Sequence, residues 1–337
     1  MTLETRTETD FSPMSLLIII VNYRSATLVV DCLRSLAPEV GVTEGARVVV
    51  TDNASGDESV PTIEAAIREN GWEGWASVHP LNRNGGFAFG NNAAIRPALA
   101  STNPPRYVWL VNPDTIVRSG ALAALIDFLD SHPDVGLAGS RLENPDGSPQ
   151  RSWFHFPSVA GEFEGAARLR AVSKALRQWV GTNQPLEEPC RVDWVAGASL
   201  MIRREVFEAA GLLDEAYFMY YEEVDFCLKA LRAGWPCWYV PASRVVHLVG
   251  QVSGVTDTQE ITSRRRPRYW FEARRRYFLT NHGVLKTVLA DLAFVTAFAQ
   301  FRARYTLTGR PVIESRLFLW DFLRYNFLPM TFRRPSI

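Results

Sequence analysis

The chain has 337 residues, 47% hydrophobic and 21% charged, a globular composition with room for one large domain or a domain plus an appendage. Its formal net charge is +0, so bulk charge gives no reason to expect a nucleic-acid partner. Cys32, Cys190, Cys227 and Cys237 lie far apart without a Cys-x-x-Cys pair, which argues against a zinc site and a disulfide framework and for reduced cytosolic thiols. Residues 1–15 are polar and read as a disordered tail, not a signal peptide. No uninterrupted apolar run reaches about 18 residues, so no transmembrane helix is expected.

Residues 16–21 form an apolar strand signal, after which Ser25 can cap a helix whose apolar face is Leu28, Cys32, Leu33 and Leu36. A second strand at 47–51 ends in Asp52-Asn53, and a helix is expected over 60–70 with Pro61 in its first turn. A short strand at 77–80 precedes Asn82-Arg-Asn-Gly-Gly86, then a helix over 87–100. The buried-strand pattern of 107–111 stops at Asn112-Pro113-Asp114, where proline forces a turn. A helix over 119–129 and a strand at 135–138 follow. This alternation predicts a mostly parallel sheet covered on both faces.

The pattern changes after Arg141. Asn144-Pro-Asp-Gly147 is a turn, and 153–189 is irregular with a helical piece near 166–180. Short strand signals over 192–202 surround Gly197. Helices are expected at 204–210 and 220–233, a strand-like return at 235–247, and a helical segment of different composition from Arg264 onward.

The ends of the early strands carry polar groups: Asn22, then Asp52 and Asn53, then Asn84, Gly85 and Gly86, then Asn112 and Asp114. Strand C-termini on one edge of a parallel sheet converge on one crevice. Asp52 can accept from a base N–H or a ribose hydroxyl, though Asp52–Gly56 reads equally as an Asx turn. The Asn84-Gly85-Gly86 turn allows close backbone approach to a sugar or phosphate, and a helix N-terminus follows it. The first strand lacks the Gly-x-Gly-x-x-Gly of a dinucleotide fold, and no phosphate-loop lysine motif occurs, so a dehydrogenase and a P-loop NTPase are disfavoured. Glu222, Glu223 and Asp225 open a helix among aromatics. They can serve the helix dipole, or supply a general base from partly apolar surroundings. His247 closes a strand; Asp114 and His247 with two phosphate oxygens and water would suit octahedral Mn2+ or Mg2+.

Taken together, Val21-Asn-Tyr23, Thr51-Asp-Asn-Ala-Ser55 and Asn82-Arg-Asn-Gly-Gly-Phe-Ala-Phe-Gly-Asn91 resemble the donor-binding half of family 2 glycosyltransferases. The resemblance continues through Leu110-Val-Asn-Pro-Asp114, Val195-Ala-Gly-Ala-Ser-Leu-Met201, Gly211-Leu-Leu-Asp-Glu-Ala-Tyr-Phe218, Tyr221-Glu-Glu-Val-Asp225 and His247, in the order of the rhamnosyltransferase-like branch. It covers about residues 16–250 and implies a GT-A fold, an α/β architecture with a mostly parallel central sheet flanked by helices, here with a C-terminal helical extension. It also implies an inverting transfer from a dTDP- or UDP-sugar, with rhamnose favoured, to a glycan or polyprenyl-diphosphate-linked acceptor, in the cytoplasm or at the inner face of the cell membrane. By that resemblance Asp52 reads the base, while Asn22, Asn53, Asn84, Gly85, Gly86 and Asn112 line the donor side. Asp114 is the last carboxylate of the metal-binding Asp-x-Asp, whose first position here is Asn112, and His247 is a further metal ligand. Glu223 stands where the general base is Asp, and Trp194, Gly197, Glu222 and Asp225 face the acceptor. The implied domains are a catalytic unit at 16–250, with donor half 16–140 and acceptor half 141–250, and an extension at 251–337. A nucleotidyltransferase and a non-catalytic nucleotide-sugar-binding module are the rival readings; the first would want a glycine-rich basic loop where Asn22-Tyr-Arg-Ser stands.

In the extension, Arg264-Arg-Arg-Pro-Arg268 and Arg274-Arg-Arg276 alternate with Tyr269, Trp270 and Phe271. Beyond them Leu285, Val288, Leu289, Leu292 and Val295 form one apolar stripe, and Phe294, Phe298 and Phe301 a second. Such a helix can pack on the catalytic domain, in a homodimer, or on an anionic membrane surface.

Overall fold

The computed structural model describes residues 15–176, 186–248, 265–311, 314–315 and 317–327. The predicted tail, apart from Ser15, and the expected domain boundary at 250/251 lie outside them. The first half runs β1 (Leu16–Asn22), α1 (Ala26–Gly41), β2 (Ala46–Asp52), α2 (Ser59–Glu69), β3 (Ala76–Pro80), α3 (Gly86–Leu99), β4 (Tyr107–Val111), β5 (Thr115–Val117) and α4 (Ala121–Ser131). The second half runs β6 (Leu137–Glu143), β7 (Trp153–Phe154), α5 (Val159–Ala167), α6 (Arg170–Ala175), β8 (Cys190–Val192), β9 (Trp194–Val195), β10 (Ser199–Arg203), α7 (Arg204–Ala210), α8 (Glu222–Arg232) and β11 (Cys237–His247). Two C-terminal helices follow, α9 (Arg268–Leu307) and α10 (Phe318–Phe327).

The main sheet has the order β3-β2-β1-β4-β10-β6-β11-β5, with β8 added to β11. Strands β3, β2, β1 and β4 are parallel, as their alternation with helices requires. Every residue of β1 is buried, which is why it reads as a continuous apolar run. The second half extends this sheet with mixed pairings. β10 runs antiparallel to both β4 and β6, whereas β6 and β11 are parallel. β6 crosses the expected division at 140, and β10 sits between it and β4, so donor and acceptor halves share one sheet.

One face is packed by α1, α2 and α4 through Leu33, Leu36, Ile63, Leu125 and Leu129. The other is packed by α3, α7 and α8 through Ile95, Phe207 and Phe226. Two local expectations change. Ser25 makes no side-chain cap on α1; its hydroxyl donates to Asn22 Oδ1 at 2.8 Å instead. Of the helical piece expected near 166–180, residues 177–180 lie outside the described residues, and the rest belongs to two short helices separated where Arg168 takes a left-handed φ of 48°.

The C-terminal helices dock on the rest of the described chain. Ala273, Tyr277 and Phe278 of α9 pack with Val224 and Leu228 of α8. Phe298 and Phe301 of α9 join Phe318 and Phe322 of α10 and Ala166 and Ala167 of α5 in a second cluster. Between them Arg274 is fully buried, donating to Glu162 at 2.8 Å and to Asp291 at 2.5 Å. The helix breaks once, at Gly283, whose φ of 76° and ψ of 173° only glycine adopts readily.

Candidate active site

The sheet ends Asn22 and Asp52 side by side, because β1 and β2 pair in register at those two residues. Asn22 does not reach into the crevice as expected. It is fully buried; its amide donates to Asp52 Oδ1 at 2.6 Å while its carbonyl accepts from the N–H and hydroxyl of Ser25. Ser55 completes the clamp, donating from its hydroxyl to Asp52 Oδ1 at 2.6 Å and from its N–H to Oδ2 at 3.0 Å. Asp52 is therefore held in one orientation by residues whose own hydrogen bonds are satisfied. In sequence Ser55 belongs to an Asx turn and to the Thr51–Ser55 segment of the family resemblance, but nothing in its position marks it as the partner of Asn22.

Asn53 ties this strand end to the turn at 84–86, since its amide donates to the Gly86 carbonyl at 3.0 Å. Asn84 accepts from the Gly86 N–H at 3.1 Å and so closes the turn. Glycine at 86 has a structural reason within the chain itself. With φ at +86°, a Cβ there would stand 1.8 Å from the Phe218 carbonyl oxygen, so protein backbone already requires glycine at this position. Phe87 N–H then donates to that same oxygen at 2.9 Å. The side chain of Phe89 occupies the position a Cβ on Gly85 would take. The turn at 84–86 is thus welded to the loop that leads into the acidic helix.

Asp114 follows the turn after β4 and opens β5. Antiparallel pairing of β5 with β11 sets Thr115 opposite His247, which places the imidazole Nε2 3.5 Å from Asp114 Oδ1. Thr115 donates to the Asn112 carbonyl at 2.7 Å, and Gln150 donates to the His247 carbonyl at 2.7 Å, fixing both corners. Asp114 is 4% exposed, yet Oδ1 has no hydrogen-bond partner among the described residues. A buried carboxylate oxygen left open beside an imidazole suits a divalent cation. Among the described residues no group of three His, Cys, Asp or Glu could hold a metal. Asp114 and His247 fit two positions of an octahedral shell, and the others would fall to a diphosphate and water.

The acidic cluster sits at the start of α8, behind two residues in left-handed backbone, Tyr220 (φ 72°) and Tyr221 (φ 69°). Left-handed backbone is uncommon for bulky residues and is concentrated at functional sites. Burial pushes the Glu223 carboxyl up to about 7. Glu222 is raised well above its ordinary value, first by burial and then by the charge of Glu223. One oxygen of each, Oε2, lacks a hydrogen-bond partner among the described residues. A Cβ at Gly197 would lie 3.7 Å from Glu223 Cβ and 3.5 Å from the Phe87 ring. The Gly197 loop, the start of α3 and Glu223 therefore meet at one point.

Two of the expected acceptor residues are engaged elsewhere. Asp225 is fully buried, pairs with Lys229 at 2.7 Å and accepts from Asn281 of α9 at 2.6 Å; it anchors the C-terminal helix. Trp194 stacks on Phe154 at 4.2 Å and donates to the His155 carbonyl at 3.0 Å, so it forms a rigid wall. Phe218, Tyr220 and Tyr269 add an aromatic rim, Tyr269 lying 5.3 Å and 6.1 Å from the two former rings.

These residues offer an anchored carboxylate, a metal-fitting corner and a desolvated carboxyl raised to about 7. A family model described as glycosyltransferase-like family 2 matches residues 13–279. The chain is 31% identical over 257 residues to the N-acetylglucosaminyl-diphospho-decaprenol L-rhamnosyltransferase of Mycobacterium tuberculosis, 72% of this chain and 78% of that one. It is 31% identical over 219 residues to the low-salt glycan biosynthesis hexosyltransferase Agl10 of Haloferax volcanii, covering 64% of this chain and 61% of the other. In fold it is similar to a mannosyltransferase from Pyrobaculum calidifontis in complex with GDP-Man and Mn2+, at a TM-score of 0.54 and 16% identity over 90% of this chain and 79% of that one. The GT-A architecture is thereby in place. Since the matched span encloses every cleft residue from Asn22 to His247, the chain belongs to glycosyltransferase family 2.

Proposed function

We propose that this enzyme transfers rhamnose from a dTDP- or UDP-linked donor to a hydroxyl of a diphosphate-linked lipid or glycan acceptor, with inversion at the sugar carbon. The observation that carries the reading is Glu223, a carboxyl raised to about 7 and set between the donor helix and the Gly197 loop. A base of that strength is half ionised at neutral pH and can take the acceptor hydroxyl's proton as the new glycosidic bond forms. Burial and the charge of Glu223 raise the neighbouring Glu222 carboxyl well above its ordinary value. Asp52, clamped by Asn22 and Ser55, accepts from the nucleoside. The turn at Asn84–Gly86 fixes the donor's distance from Glu223 through the Phe218 carbonyl.

Asp114 and His247 would hold Mn2+ or Mg2+, which supplies neutralisation of the departing diphosphate. With Asn112 in place of a first carboxylate, the chain brings one anionic ligand, so affinity for the cation depends on the nucleotide itself. Rhamnose and a diphosphate-linked acceptor follow the mycobacterial relative's named activity. An enzyme using such an acceptor would work in the cytoplasm, at the inner face of the cell membrane. The test is incubation with dTDP-rhamnose, other nucleotide sugars and a short-chain diphosphate-linked acceptor. Release of nucleotide with an inverted anomeric configuration in the product supports the reading. Retention, or transfer of the nucleotidyl group, overturns it.

A further inference from the structure

The two apolar stripes of α9 have different fates. Phe298 and Phe301 are buried against α5 and α10, with Phe294 packed alongside. The aliphatic stripe is not covered: Leu285, Val288, Leu289 and Leu292 are 41% to 74% exposed. On a helix of about 100° per residue these four share one face, opposite the buried phenylalanines. Thr296, whose hydroxyl donates to the Leu292 carbonyl at 2.8 Å, and Ala299 and Ala303 continue that face, exposed and uncharged, to Leu307, which is 87% exposed. From Val284 to Leu307 the face extends about 36 Å.

Charge along this segment has one sign at the surface. Between Gly283 and Pro311 the single acidic residue is Asp291, and it is buried against Arg274. Lys286 and Arg302 are exposed and project to opposite sides of the stripe, about 100° away in each direction. A bare aliphatic face bordered by cations complements lipid tails beneath anionic headgroups, since long basic side chains reach outward while their stems stay apolar. By length and composition α9 could cross a membrane, although Lys286 and Asp291 interrupt its apolar run. Spanning would expose Asp291 and the Arg274–Glu162 pair to hydrocarbon and strip the aromatic cluster from α5 and α10.

We propose that the face of α9 beyond Gly283 lies flat in the headgroup boundary of an anionic bilayer and does not cross it. This surface deepens the proposed function and rests on it, for the same helix packs on α8, which carries Glu223, and would bring that site to an acceptor carried by the membrane.

The test is co-sedimentation of the full chain with phosphatidylcholine vesicles and with vesicles containing phosphatidylglycerol, without any acceptor. Wild type should sediment with the anionic vesicles and be released by alkaline carbonate. The triple variant Leu285→Glu, Leu289→Glu, Leu292→Glu should bind them about tenfold or more weakly, while keeping its thermal unfolding transition and its transfer to a water-soluble acceptor. Equal vesicle binding by variant and wild type overturns the proposal. So does retention after carbonate, or a wild-type dimer that becomes monomeric in the variant while neither binds vesicles. Vesicle binding that follows this pattern with no sugar transfer by either protein would instead count against the functional reading alone.

Discussion

A carboxyl that titrates near 7 is neither a fixed charge nor a fixed donor at cell pH, and Glu223 owes this to burial. The sign for activity follows directly. Below about 7 the carboxyl is protonated and cannot accept a proton, so transfer should rise with pH through that value and level off above it. The sign for stability is opposite. A raised folded value means the burial penalty is absent below the ordinary 4.5 and grows as pH rises to about 7. Glu223→Gln should therefore unfold at a higher temperature than wild type at pH 8, read by calorimetry; a lower one contradicts the desolvation. At the metal corner, Asp114→Asn should raise the Mn2+ concentration for half-maximal transfer by about tenfold or more, because the sole carboxylate ligand is lost. An unchanged Mn2+ titration would remove Asp114 from that role. Much of this chemistry could be read in the chain. The polar strand ends, Glu223 and His247 stood out by position. What could not be read was which polar groups face inward: Asn22 and Asp225 look like ligands in sequence, yet one clamps Asp52 and the other anchors Asn281. That distinction depends on contacts across 30 and 56 positions, beyond any local pattern.

The turn at 84–86 and the loop before α8 behave as one element, because the Phe218 carbonyl leaves no room for a Cβ at Gly86 and accepts from Phe87. Gly86→Ala should lower stability by about 2 kcal/mol through overpacking and a positive φ. It should also weaken donor binding and transfer together, since displacing Phe218 moves the strained Tyr220–Tyr221 pair that positions Glu223. Thermal unfolding and a donor titration measure the two effects; a variant with wild-type stability would contradict the contact. The parallel strands β1 to β4 were legible from alternating apolar runs. β5 was missed, since three residues hold no periodic signal, and it is this strand that brings His247 to Asp114.

The sheet joins both halves of the catalytic unit, and α9 buttresses the acidic helix from behind through Tyr277 and Phe278. The buried Arg274 with Glu162 and Asp291 links α5 to both halves of α9 across the Gly283 break. Arg274→Ala leaves two carboxylates without their cation in the interior, which should cost about 3–5 kcal/mol. Denaturant unfolding showing less than about 1 kcal/mol would mean that the C-terminal helices are not held this way. The seven arginines of this region read in sequence as a basic surface, but Arg265 is spent on Asp321, Arg274 on the buried pair and Arg276 on Asp214. Charge runs conceal such pairings, because the acidic partners lie in other elements.

The most direct test of the account is the transfer rate of Glu223→Gln measured at saturating nucleotide sugar, beside its donor affinity. Loss of the base should lower the rate about 10²–10⁴-fold with donor binding unchanged. Transfer within about threefold of wild type, with donor bound equally well, would show that Glu223 is not the group that takes the acceptor's proton.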